Sequence, residues 1–140
     1  MSRDQDRVQR FHSGGRWETE VGYSRAVRVG DRVLVSGTTA ARGDDEPVPT
    51  DASGQARWAF ETIAVTLEQA GATLDDVVRC RMFVVDVARN GNDVLAVYGK
   101  ALRSARPTSS ILGVAALIDP ALLVEIEVEA IAGAGDVYEG

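Results

Sequence analysis

The most unusual run in the chain is Val124-Glu125-Ile126-Glu127-Val128-Glu129-Ala130. Side chains alternate between the two faces of a strand. Glu125, Glu127 and Glu129 therefore share one face at about 6.5–7 Å spacing, and the apolar residues take the other. Three like charges in a row repel one another and need water or cationic partners. Arg79 and Arg81 stand at the same two-residue spacing in the apolar run Val77–Val87. Two arrangements satisfy this pattern: a wet or salt-bridged sheet face, or a face on which one carboxylate sits in a pocket. Other chemistry is excluded more easily. Gly30, Gly37 and Gly43 do not form a phosphate-cradling loop between a strand and a helix, and no helix follows Gly133-Ala134-Gly135, so a dinucleotide site fails. His12 is the only histidine. It lies in a polar arm, reads as a surface group and rules out a multi-histidine metal cage. Cys80, the only cysteine, alternates with Val78, Met82 and Val84 and points with them into apolar packing, which makes it structural and excludes an internal disulfide.

The elements that must hold these residues emerge from periodicity. Ala26, Val27 and Val29, then Val33, Leu34 and Val35, flank Gly30-Asp31-Arg32, a hairpin pattern. Ala41–Gly54, with two prolines and clustered carboxylates, is a solvated loop, and Asp51 or Ser53 can cap the helix after it. From Gln55 to Ala70, the residues Ala56, Ala59, Phe60, Ile63, Ala64, Leu67 and Ala70 recur at helical spacing, and Gly71 ends that helix. After the Thr73–Asp76 turn comes the strand Val77–Val87. Asn90-Gly91 reads as a break, followed by a shorter helix burying Val94, Leu95, Tyr98 and Leu102 and stopped by Pro107. Ile111–Leu117 and Leu122–Ala132 read as the last strands. The order is β-β-α-β-α-β-β, an α+β layer fold with both helices on one face.

A chain of 140 residues makes one domain, and 45% hydrophobic against 26% charged residues is a globular balance. A net charge of −6 without a basic run argues against a nucleic-acid partner or an anionic membrane. No apolar stretch approaches the length of a membrane span, and Met1–Arg10 is polar, so a cytoplasmic protein is expected. The expected division is an N-terminal arm over 1–14, one domain over 15–133 and a tail over 134–140.

Several pieces of the chain, in this order and spacing, resemble the Rid family, the YjgF-like reactive-intermediate deaminases. They are Gly22-Tyr23-Ser24, Val33-Leu34-Val35-Ser36-Gly37, Gln55-Ala56, Gly71 to Val78, Met82 to Asp86, Tyr98, Arg106-Pro107 and Val124 to Ala132. The resemblance implies a chorismate-mutase-like (YjgF-like) single domain: a mixed sheet with two helices packed on one face, assembled as a homotrimeric barrel with small-molecule clefts between subunits. It implies no metal and no cofactor. The deaminase members hydrolyse imines and enamines derived from amino acids. By resemblance, Glu127 places the attacking water, Tyr23 closes the cleft, and Ser36 is the serine of the Ser-Gly pair. The family's carboxylate-binding arginine, in a Pro-x-Arg-Ser pattern, falls on Ser109 of Pro107-Thr108-Ser109-Ser110. A neutral hydroxyl does not replace a guanidinium fork. Ser109 and Ser110 then offer hydroxyls to a substrate lacking a carboxylate, while Arg106 or Arg25 is left to supply a displaced cation. Two functions are expected to compete. One is hydrolysis of an imine-like C=N substrate with altered specificity; the other is a non-catalytic trimer that binds a small ligand or a protein.

Overall fold

The computed structural model describes residues 7–43 and 46–136. In chain order it forms β1 (Val8–Phe11), β2 (Ala26–Val29), β3 (Arg32–Thr38), α1 (Ala52–Gln69), β4 (Val77–Val85), α2 (Val87–Ala101), β5 (Thr108–Val114) and β6 (Val124–Ile131). The six strands make one mixed sheet in the order β1-β2-β3-β6-β4-β5. β4 and β5 run parallel, joined through α2, and every other neighbouring pair is antiparallel. The expected α+β fold is present, with α1 packed on β3 and β6 and α2 beside it on β4 and β5.

The core lies between this helix layer and one face of the sheet. The stripe Ala56, Ala59, Phe60, Ile63 and Leu67 of α1 is buried against Val33, Val35, Cys80, Met82, Val84, Val124, Ile126 and Val128. Truncating a side chain as enclosed as Ile63 to alanine costs about 2–5 kcal/mol. α1 begins at Ala52, one turn before the expected Gln55. At Gly54 a Cβ would stand 2.6 Å from the Pro49 side chain, so glycine lets the incoming loop fold tightly onto the first turn. Gln55 is fully buried there. Its Nε2 donates to Pro49 O and Ala121 O, both at 2.9 Å, and its Oε1 accepts from Leu123 N at 2.7 Å. One satisfied amide thus ties the start of α1 to the loop that launches β6.

Several boundaries differ from expectation. Asn90-Gly91 does not break the chain; α2 runs from Val87 straight through it. Asp86, at φ 53°, turns the chain sharply out of β4, and Asn90 Nδ2 closes the turn by donating to Val85 O at 2.8 Å. Gly91 is there for space, since a Cβ would meet Val87 Cγ2 at 3.2 Å and Ile111 Cδ1 at 3.9 Å. Gly113 of β5 serves the same close approach, because its Cβ would lie 2.7 Å from Val87 Cγ1. β5 starts at Thr108 rather than Ile111 and ends at Val114 rather than Leu117, because Thr108, Ser109 and Ser110 pair with Arg79, Cys80 and Arg81. β6 spans Val124–Ile131, slightly inside the expected limits.

The polar N-terminal arm contains an edge strand, with Val8 paired to Val29 and Phe11 to Ala26. Within the arm, residues 1–6 lie outside the described residues, as do Asp44 and Asp45 of the solvated loop and residues 137–140 of the tail. The described start of the tail is a short turn, Ala134–Asp136, held where Gly135 N donates to Asp76 Oδ1 at 2.8 Å.

Candidate functional site

The sheet face turned away from the helices carries the chemistry. Strand alternation buries Val124, Ile126, Val128 and Ala130 under α1 and leaves Glu125, Glu127 and Glu129 on the open face. β4 answers with Arg81 opposite Glu127, Arg79 opposite Glu129 and Phe83 opposite Glu125. β3 lies on the other side, with Leu34 beside Glu129.

The three carboxylates are treated differently. Glu129 Oε1 accepts from Arg32 Nε at 3.1 Å and Nη2 at 2.5 Å. Glu127 Oε1 accepts from Arg81 Nη1 at 3.2 Å, with both side chains partly in water. Exposed pairs of this kind contribute at most about 1 kcal/mol, so they order the face more than they stabilise it. Glu125 forms no ion pair with a described residue. Burial pushes its carboxyl above the ordinary range, the neighbouring Glu127 charge adds to this, and Arg25 partly opposes it. The salt-bridged arrangement therefore occurs at Glu127 and Glu129, while Glu125 is half-buried without an ion pair among the described residues.

Two chain segments pack around the Glu125 carboxyl. The β3–β6 register slips between Val35 and Thr38, and Ser36-Gly37 bulges out there. A Cβ on Gly37 would lie 2.8 Å from Glu125 Oε2, so the carboxyl occupies space that only glycine leaves free. The Tyr23–Arg25 segment is stitched to the same bulge. Ser36 N donates to Arg25 O at 3.0 Å, Ser36 Oγ to Ser24 O at 2.6 Å, and Arg25 Nη2 to Gly37 O at 2.6 Å. The Arg25 guanidinium carbon lies 5.9 Å from the centre of the Tyr23 ring, and Arg25 Nε is buried with no hydrogen-bond partner among the described residues.

Behind Arg25 sits a second carboxylate, Glu18, at the start of the helical turn Glu18–Gly22 and only 6% exposed. Burial alone would raise its carboxyl, but the Ser13 hydroxyl and backbone N–H, with help from Arg25, hold it below the ordinary range. His12 Nδ1 stands 3.4 Å from the same carboxylate, and the rest of its ring faces solvent.

Of the residues expected from sequence, Tyr23, Ser36 and Arg25 come together beside Glu125, while Glu127 and Glu129 continue the row along β6. Ser110 shares a row with Arg81 and Glu127 on the open face. Ser109 does not join them within one chain: it stands in the row of Cys80 and Val128, on the exposed edge strand. Arg106 is exposed on the turn before β5, at φ 47°. Arg25 is thus the candidate cation brought to the cluster. Cys80 is fully buried, and burial followed by the Glu127 charge pushes its thiol up to about 12, so it is inert at neutral pH. A shallow depression of about 170 Å³ beside Glu127 is lined by Leu34, Arg79, Arg81 and Glu129. Sequence reasoning missed Glu18, whose role depends on a serine five residues upstream and leaves no periodic signal. Among the described residues no cluster of metal ligands occurs, and no helix is long and apolar enough to cross a membrane.

Comparison with known proteins places this geometry. The family model described as endoribonuclease L-PSP matches residues 15–132. The Streptomyces coelicolor protein SCO2049 is 37% identical over 129 residues, 92% of this chain and 96% of that protein. A 2-iminobutanoate/2-iminopropanoate deaminase from Dermatophagoides farinae is 36% identical over 109 residues, 75% of this chain and 81% of the deaminase. The crystal structure of Rv2704 from Mycobacterium tuberculosis, a member of the YjgF/YER057c/UK114 family, superposes with a TM-score of 0.82 at 44% identity. It covers 89% of this chain and 99% of that one.

Proposed function

The chain belongs to the endoribonuclease L-PSP family, the YjgF-like Rid proteins, and from that premise we propose that it binds a small metabolite on the open sheet face and hydrolyses its C=N bond. The observation that supports this most is the convergence of Tyr23, the Ser36-Gly37 bulge, Glu125 and Glu127 around an uncovered patch. The likeness to a named imine deaminase gives the reaction class. A net charge of −6 disfavours RNA as the substrate.

In this reading the protein is a cytoplasmic homotrimer that needs neither metal nor organic cofactor. A sheet covered by helices on one side presents its other face to neighbouring copies, and a closed ring satisfies it. The exposed β5 edge of one copy, carrying Ser109, completes the cleft of the next. Glu127, tethered by Arg81, orients the attacking water. Tyr23 shapes the entrance, Ser36, Ser110 and Ser109 present hydroxyl oxygens, and Arg106 stands at the rim. Sedimentation velocity at micromolar protein should give the trimer; a stable monomer contradicts both the assembly and the shared cleft.

A specific observation favours a second reading. Glu127 is already engaged by Arg81, and by resemblance Ser109 stands at the position of the family's carboxylate-binding arginine. A trimer that binds a ligand in these clefts without turning it over would carry the same features.

One experiment separates the two. Imines are generated in place by an amino-acid oxidase, giving 2-aminoacrylate-type substrates, and by an amine oxidase, giving substrates without a carboxylate. Faster loss of carboxylate-free imines in the presence of the protein, with little effect on the amino-acid imines, supports an altered hydrolase. No acceleration of any imine supports the binding module. Ser109→Arg should raise turnover of the amino-acid imines by about one to two orders of magnitude, the factor of a charge-assisted bond. Strong wild-type activity on those imines would mean that another cation, with Arg25 the best placed, already holds the carboxylate.

A further inference from the structure

A groove of about 440 Å³ runs between α1 and α2, in the layer opposite the open sheet face. That volume is in the range of small-molecule sites, whereas the depression beside Glu127 has about 170 Å³. From α1 come Ser53, Arg57, Phe60 and Ala64, spaced three or four residues apart and so on one side of the helix. From α2 come Ala96, Val97, Lys100 and Ala101. The floor is apolar. Phe60 belongs to the core itself, and Leu74, Val97 and Ala101 pack against that core while keeping part of their surface in the groove.

The charges at the rim are unequally committed. Glu61 is the one acid among the lining residues, and Arg42 pairs with it. Arg42 also stacks on the Trp58 ring, with its guanidinium carbon 4.1 Å from the ring centre, a contact that holds the pair in place. Arg57 and Lys100 are both exposed and make no ion pair with a described residue. Ser53 adds a hydroxyl one helical turn before Arg57. A chain of net charge −6 thus sets two uncommitted cations, one on each helix, over an apolar floor.

We propose that the α1–α2 groove is a second ligand site, separate from the open sheet face, for a small amphipathic carboxylate. The apolar body of the ligand lies on Phe60, Ala64 and Val97 between the helices. Its carboxylate meets the Arg57 guanidinium, whose fork matches two oxygens, and Lys100 reaches it from the facing helix as a point charge. An inorganic anion would leave the floor bare, and a neutral apolar molecule would leave both cations unused. The site does not depend on the hydrolase reading, because no residue of the groove belongs to the open face.

The test uses the full chain, with 4-phenylbutanoate as the probe and 4-phenylbutan-1-ol as the same body without the charge. Titration calorimetry should show saturable binding of the acid. The alcohol should bind about tenfold more weakly, the limit set by two exposed ion pairs. Arg57→Gln/Lys100→Gln should bring the acid down to the affinity of the alcohol and leave the alcohol unchanged. Ala96→Trp, from an exposed position on the rim, should fill the groove and abolish binding of both. Arg81→Gln, on the open face, should change neither. In the wild type, intermolecular NOEs should join the phenyl protons to the methyls of Leu74 and Val97, a readout that needs no variant. NOEs to Leu34 in their place, or loss of the acid in Arg81→Gln, would put the ligand on the open face and overturn the proposal. Equal affinities for acid and alcohol, or no saturable binding of the acid, also overturn it. So does an oligomer that shrinks in Ala96→Trp, since another copy of the chain would then occupy the groove.

Discussion

Glu18 and Glu125 both sit at least partly out of water and both feel the charge of Arg25, yet their carboxyls are displaced in opposite directions. Burial pushes both upward. At Glu18 the Ser13 hydroxyl and backbone N–H donate directly to the carboxylate, and these bonds outweigh the loss of water. At Glu125 no donor among the described residues replaces the water, and the nearest charged neighbour on its own strand is another carboxylate. The donors present, rather than burial, decide which carboxyl is held low and which is held high.

The largest effect should come from the group the two share. Arg25→Gln removes a charged donor from Gly37 O and the cation felt by both carboxylates, at a cost of about 2–3 kcal/mol near neutral pH. That cost should shrink on acidification in two stages, first as Glu125 takes up its proton above the ordinary carboxylate range and then as Glu18 does so below it. Denaturant midpoints of the two proteins across pH measure it, and a pH-independent cost would show that the guanidinium acts only through the Gly37 carbonyl.

Next comes Glu18→Gln, which replaces the charged acceptor of the Ser13 donors and should cost about 1–3 kcal/mol at neutral pH. A carboxyl held low contributes stability above its unfolded value and loses it as pH falls through its folded value. The difference between variant and wild type should therefore close on acidification. A variant as stable as wild type at pH 7 would break the contrast.

The smallest effect has the opposite sign. A carboxyl held high favours the fold when protonated, and that advantage is lost as pH rises through its folded value. Glu125→Gln removes an unpaired charge and should raise the thermal midpoint by about 1–3 °C at pH 7, a few tenths of a kcal/mol in a domain of this size. The gain should disappear below the ordinary carboxylate range. Thermal melts at pH 7 and pH 4 decide it, and a lower midpoint at pH 7 would mean that Glu125 has a charged partner after all.

Much of this was legible in the residues. The stripe from Ala56 to Leu67 and the alternation from Val124 to Ala130 each bury one face, so periodicity alone reports helix, strand and the side the glutamates take. Elements lacking that periodicity were hidden. β1 is an edge strand with little buried surface, and the polar start of β5 becomes a strand only because β4 offers it a parallel partner. Asn90-Gly91 carries turn residues, but Asp86 makes the turn, and Gly91 answers the close approach of the Val87 side chain. At the site, sequence identified the three glutamates as special but could not rank them. Their ranking depends on Arg81, Arg32 and Arg25, which reach them from other strands. The placement of Ser109 away from Glu127 is likewise a matter of register, which one chain's sequence does not reveal.

The central claim, that the open face around Glu125 and Glu127 hydrolyses a C=N bond, is tested most directly by the loss of enzymatically generated imines. The rate with wild type is set against the rate with the Glu125→Gln/Glu127→Gln double variant at equal concentrations of verified folded protein. The wild type should exceed the double variant by about 100-fold or more on at least one imine, the range expected for a lost proton-transfer group. Equal rates would contradict the claim.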